Sequence, residues 1–75
     1  MTDLAQTIAD YVRRKAYTKH KRGWWIVNIA EIERVFDLPM STIITALRKA
    51  EDRELVHLFY GLDDEPHSCR PGRLH

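Results

Sequence analysis

Seventy-five residues and 8.9 kDa allow one small domain with one core and exclude a multi-step enzyme that carries its own cofactor domain. With 44% hydrophobic and 31% charged residues the chain has the balance of a folded globular domain, and its longest apolar run, Trp24 to Val27, is far too short to span a bilayer. The net charge of +1 hides an uneven distribution, because six of the twelve Lys and Arg residues fall within residues 13–22, whereas residues 31–65 hold nine acids against four bases. Clustered cations are what a polyanion-binding surface needs, since phosphate contacts depend on local charge density; the plainer reading of such a run is a solvated helix end. The single cysteine, Cys69, cannot close an intramolecular disulfide. No basic segment precedes an apolar stretch near Met1, so we expect no signal peptide and a cytoplasmic protein.

No repeat or low-complexity tract interrupts the chain, which reads as a single domain over 1–75. The first helix is expected over residues 3–17 within segment 1–17: Leu4, Ile8, Tyr11 and Val12 recur at helical spacing, with Asp3 and Gln6 as a capping pair. Thr18 to Gly23 is polar and basic and ends as a turn. Trp24 to Val27 is aromatic and β-branched, which predicts a brief strand with the two tryptophans on opposite faces.

Segment 28–53 predicts two helices joined by a tight turn. Asn28 with Glu31 three positions on forms a capping box, and Ile29, Ile32, Val35 and Phe36 form an apolar face. The helix should stop near Asp37, because Pro39 pushes Leu38 out of helical geometry, and Pro39 itself suits the first turn of the next helix. In that third helix Met40, Ile43, Ile44, Leu47 and Ala50 make the buried stripe. Ser41, Thr42, Thr45, Lys49 and Asp52 share the opposite face, with Arg48 at its flank. Segment 55–75 is expected to form a hairpin or tail: Leu55 to Tyr60 reads as a strand, Asp63 to Pro66 as a loop tip, and 67–75 as poor strand material because Pro71 and Gly72 lie within it.

The run from Asn28 to Pro39 resembles the second helix and turn of bacterial winged helix-turn-helix regulators. Ser41-Thr42-Ile43-Ile44-Thr45-Ala46-Leu47 is similar to their recognition helix, and Leu55-Val56 to the start of their first wing strand. The Leu-Pro-x-Ser-Thr phrasing is similar to the IclR-like and MarR-like DNA-binding domains in particular, and the likeness spans residues 28–60. It implies an α+β, mainly α fold of three helices with a small two- to three-stranded sheet, and a DNA-binding regulator rather than an enzyme. Its partner would be double-stranded DNA, bound as a homodimer and without a cofactor. On this reading the third helix enters the major groove with Ser41, Thr42, Thr45, Arg48 and Lys49, while Arg13, Arg14, Lys19, Lys21, Arg22, Arg70 and Arg73 meet phosphates. The alternative is a winged-helix protein-interaction module in which the acidic stretch 51–65 docks a basic partner.

Several residues depart from the family pattern. Asp37 and Glu54 stand where glycines are usual, Glu33 where a small residue is usual, and Thr45 where many relatives carry a base-reading arginine. The acidic tip Asp63-Asp64-Glu65 should be repelled by phosphates and stay out of a minor groove. His67 and Cys69, with His57 or His75, lack the spacing of a zinc site, and neither a phosphate-binding glycine loop nor a nucleophilic triad is present.

Overall fold

The computed structural model describes residues 3–19 and 26–72, the side chains of 17–19 excepted. Helix α1 spans Leu4–Lys19, strand β1 Val27–Asn28, helix α2 Ile29–Phe36, helix α3 Met40–Asp52, strand β2 Val56–Tyr60 and strand β3 Pro66–Pro71. The three strands form one antiparallel sheet in the order β1-β3-β2. Three helices with a hairpin after the third make the mainly helical α+β layout of a winged helix.

One core holds these elements together. Ala5, Ile8, Ala9 and Val12 of α1 meet Ile29 and Ile32 of α2, Ile43, Ala46, Leu47 and Ala50 of α3, and Val27, Val56, Leu58 and Cys69 of the sheet. The spacing in α1 places an apolar residue on one side at nearly every turn, which is why the helix lies flat on α3 and the sheet. α1 starts with Asp3, whose Oδ1 accepts the Gln6 backbone N–H at 2.9 Å. Only half of the expected capping pair forms, because the Gln6 amide donates to Asp10 Oδ1 at 3.0 Å instead of reaching back.

The capping box expected at Asn28 is absent. Asn28 has extended backbone but makes no side-chain cap, and Glu31 is drawn across to α1. Its Oε2 accepts the Tyr11 hydroxyl at 2.9 Å and lies 3.8 Å from Lys15 Nζ. A tertiary partner with a charge outcompetes a local N–H that solvent can satisfy. Tyr11 also packs edge-on against Phe36, ring centroids 5.5 Å apart, so one side chain ties α1 to both ends of α2. Burial, then the bond to Glu31, pushes the Tyr11 hydroxyl up to about 12. Val35, expected on the apolar face, is exposed instead, since at about 100° per residue it stands roughly 90° from the centre of the stripe that Ile29, Ile32 and Phe36 turn to the core.

α2 stops where the sequence predicts. Asp37 takes the left-handed conformation, φ 54°, and its N–H donates to Glu33 C=O at 2.9 Å. Pro39 sits one position earlier than expected, as the residue preceding α3, and its carbonyl accepts from Thr42 and Ile43 N–H at 3.0 and 3.1 Å. α3 closes with Leu55 N–H on Ala50 C=O and Glu54 N–H on Glu51 C=O, both 2.9 Å. This is a Schellman closure with Glu54, φ 62°, in the left-handed place that glycine usually fills.

The strand after the Trp pair is Val27–Asn28, shifted from the expected Trp24–Val27; Ile26 lies outside it, and Trp24 and Trp25 fall outside the described residues. Of the two readings of segment 55–75, hairpin or tail, the hairpin is the one formed, and β3, expected as poor strand material, is the central strand of the sheet. Its two prolines stand at its ends. Among the described residues β1 pairs with Ser68 and Cys69 alone, so within that set Pro66 and Pro71 face one neighbour, β2, and owe no second ladder bond. Gly72 then passes so close to the turn leading into β2 that an added Cβ would lie 2.3 Å from the Glu54 carbonyl oxygen, and its N–H donates to Leu55 C=O at 2.9 Å.

Candidate nucleic-acid interface

The helical period divides α3 into two sides. Ile43, Ala46, Leu47 and Ala50 are buried, Met40 and Ile44 are half-buried at the margin, and Ser41, Thr42, Thr45, Arg48, Lys49 and Asp52 are exposed. At about 100° per residue the exposed set spans an arc of roughly 120° around the axis, wide enough for the edge of a groove to be read from one approach. Thr45 Oγ1 donates to the Ser41 carbonyl at 2.9 Å. Its one proton is thereby used, and in this conformation Thr45 offers only acceptor lone pairs outward. Ser41 and Thr42 carry no such bond among the described residues and keep a hydroxyl that can donate to a phosphate or a base acceptor. Arg48 and Lys49 have no acidic side chain within ion-pair distance among the described residues.

The start of α1 runs beside this face. Asp3, Leu4 and Ala5 on one side and Ser41, Thr42, Thr45, Ala46 and Lys49 on the other line an open groove of about 310 Å³. At its end Asp3 Oδ2 lies 2.9 Å from Arg53 Nη1. The Gln6 backbone N–H, and after it the Arg53 guanidinium, hold the Asp3 carboxyl below the ordinary carboxylate range. Arg53 lies outside the set that the sequence assigns to the interface. The signal for it was its spacing, four residues after Lys49 on the same helical side.

The remaining basic residues divide by position. Arg13 and Arg14 are exposed on α1, about 12 Å or more along the helix from the turn that borders the groove, and Arg14 points away from the buried stripe. Lys19 closes α1, but its side chain, like Lys21, Arg22 and Arg73, lies outside the described residues. Arg70 is exposed on the outer face of the sheet, directly across from His57, whose ring packs edge-on against Phe59 with centroids 4.9 Å apart. The described structure therefore gathers Ser41, Thr42, Thr45, Arg48 and Lys49 on one face and brings neither Arg13, Arg14 nor Arg70 into the groove beside them.

The hairpin tip is acidic and exposed. Gly61 and Glu65 close a three-residue loop with Asp64 left-handed, φ 64°, and the Gly61 N–H donates to the Glu65 carbonyl at 3.0 Å. Asp63 accepts the Glu65 N–H and meets His67 Nε2, both at 3.2 Å, and those two contacts hold its carboxyl low. Leu62 stands fully exposed among these acids. No protein-family model, no curated protein and no solved structure matches the chain. Among the described residues no group of three or more His, Cys, Asp or Glu is placed to hold a metal. Cys69 is buried, and burial pushes its thiol up to about 12. No helix among the described residues is long and apolar enough to cross a membrane. Among the described residues the large exposed apolar side chains are Ile26, Val35, Tyr60 and Leu62, and those of α1 face the core or lie half-buried.

Proposed function

We propose that this chain binds double-stranded DNA as a small regulator, with α3 in the major groove and basic side chains on the flanking phosphates. One observation carries the reading: the hydroxyl and cationic side of α3 stands open to solvent while its apolar side is consumed by the core. A helix presented in this way fits a groove about 12 Å wide. Arg48 and Lys49 supply phosphate contacts, Ser41 and Thr42 supply donors, and Thr45 accepts from an exocyclic amine. Hydroxyls discriminate bases weakly, so a pair of copies on two half-sites is part of the proposal, because two weak readings then add.

The direct test replaces Thr42, Thr45 and Lys49 by alanine together. Exposed positions of this kind change stability by no more than about 0.5 kcal/mol each, so the thermal midpoint should stay close to that of the parent chain. Affinity for duplex DNA should fall by about tenfold or more. Unchanged affinity moves the site away from α3.

A second reading rests on the hairpin tip. Leu62, exposed beside Asp63, Asp64 and Glu65, is an apolar knob in an acidic setting, which phosphates repel and a basic protein surface accommodates. It predicts no affinity for random duplex DNA even at low salt.

A further inference from the structure

We propose that Arg53 is an additional phosphate-binding residue at the end of the α3 face, and that Asp3 competes with DNA for it; the inference rests on the DNA reading above and names a restraint within that same site. Lys49 and Arg53 lie four residues apart, on one side of the helix and about one 5.4 Å turn from each other. Together they extend the cationic edge of the face past its hydroxyl centre. Arg53, however, already holds an anion, the Asp3 carboxylate at 2.9 Å, supplied by the first turn of α1.

The two oxygens of Asp3 have separate duties. Oδ1 caps α1 through the Gln6 N–H, and Oδ2 meets Arg53. The ion pair is open, with side-chain exposures of 48% for Arg53 and 50% for Asp3. Exposed pairs of this kind are weak, and a phosphate offers a guanidinium a second acceptor oxygen for bidentate binding. Exchange of carboxylate for phosphate is therefore easy. The α1 start thus weakens indiscriminate binding to polyanions while leaving the α3 hydroxyls uncovered.

The separation of duties supplies a clean variant. Asp3→Asn keeps an oxygen for the Gln6 N–H, since asparagine caps helices about as well as aspartate, and removes only the charge facing Arg53. A four-way cycle of the parent chain, Asp3→Asn, Arg53→Ala and the double variant is titrated against a random duplex, with thermal midpoints confirming that each is folded. Asp3→Asn should bind about three- to fivefold more tightly at moderate salt, the most that an exposed ion pair of about 1 kcal/mol can withhold. In the Arg53→Ala background that gain should shrink below about twofold, and the slope of log affinity on log salt should be shallower by about 0.9 than in Asp3→Asn alone. No gain, or an equal gain with and without Arg53, overturns the proposal while leaving the DNA reading intact. Absence of binding by all four proteins overturns both.

Discussion

Glu51 fastens the wing to the helix that would enter DNA, and its removal has a calculable effect. From α3 its Oε2 accepts the Leu58 N–H and its Oε1 the Tyr60 hydroxyl, both at 3.2 Å. Leu58 belongs to β2, an edge strand of the sheet, so Glu51 both satisfies an outward N–H and covers an edge. Hydrogen bonds to charged groups contribute roughly 1.5–3 kcal/mol when buried; Glu51 is half-exposed, which reduces the pair to roughly 1–2 kcal/mol. Alanine is the better helix former and returns a few tenths of that. Glu51→Ala should therefore cost about 1 kcal/mol and lower the thermal midpoint by about 4–8 °C for a chain of this size. Tyr60→Phe removes only the bond at an exposed hydroxyl and should cost under about 0.5 kcal/mol. Urea and thermal unfolding of both variants measure the difference. A Glu51→Ala midpoint within 1 °C of the parent, or a Tyr60→Phe loss as large, would refute the assignment of the clamp to the Leu58 N–H.

Two further outcomes follow from the backbone and the core. Glu54→Gly should stabilise the chain by about 1 kcal/mol, because a left-handed glutamate at φ 62° is strained. Asp37→Gly should gain less, since aspartate enters that region more readily; equal gains in calorimetry would contradict this ordering. Cys69 makes the alkaline limb steep. Burial raises its thiol from the ordinary 9 to about 12 in the folded chain, so the unfolded chain releases the proton first. The stability Cys69 confers is complete below pH 9 and is lost as the pH climbs toward 12, at about 1.4 kcal/mol per pH unit. Cys69→Ala should flatten that slope, whatever it does to stability at neutral pH, and matching slopes for the two proteins would exclude the thiol as the cause.

The parts that depend on local rules were legible in advance. The α3 stripe follows from apolar spacing and the end of α2 from Pro39 acting on Leu38, while the left-handed sites at Asp37 and Glu54 fall where the winged-helix resemblance has glycines. What escaped was decided by contacts distant in sequence. Glu31 had a suitable local partner at Asn28 and took Tyr11 and Lys15 instead. Pro71 and Gly72 argue against a strand until the pairing of β3 with β2 shows that, among the described residues, the proline has one neighbour to satisfy. Within the site, the exposed hydroxyls and cations of α3 were readable from the wheel, whereas Arg53 became visible only once α1 delivered Asp3 beside it.

Binding of the intact chain to a random-sequence duplex, measured across a series of salt concentrations, tests the central proposal most directly. If α3 and its flanks neutralise at least three phosphates, log affinity falls against log salt with a slope of about −2.7 or steeper. A flat dependence, or no binding at the lowest salt, would contradict it and leave the Leu62 tip as the better candidate for contact.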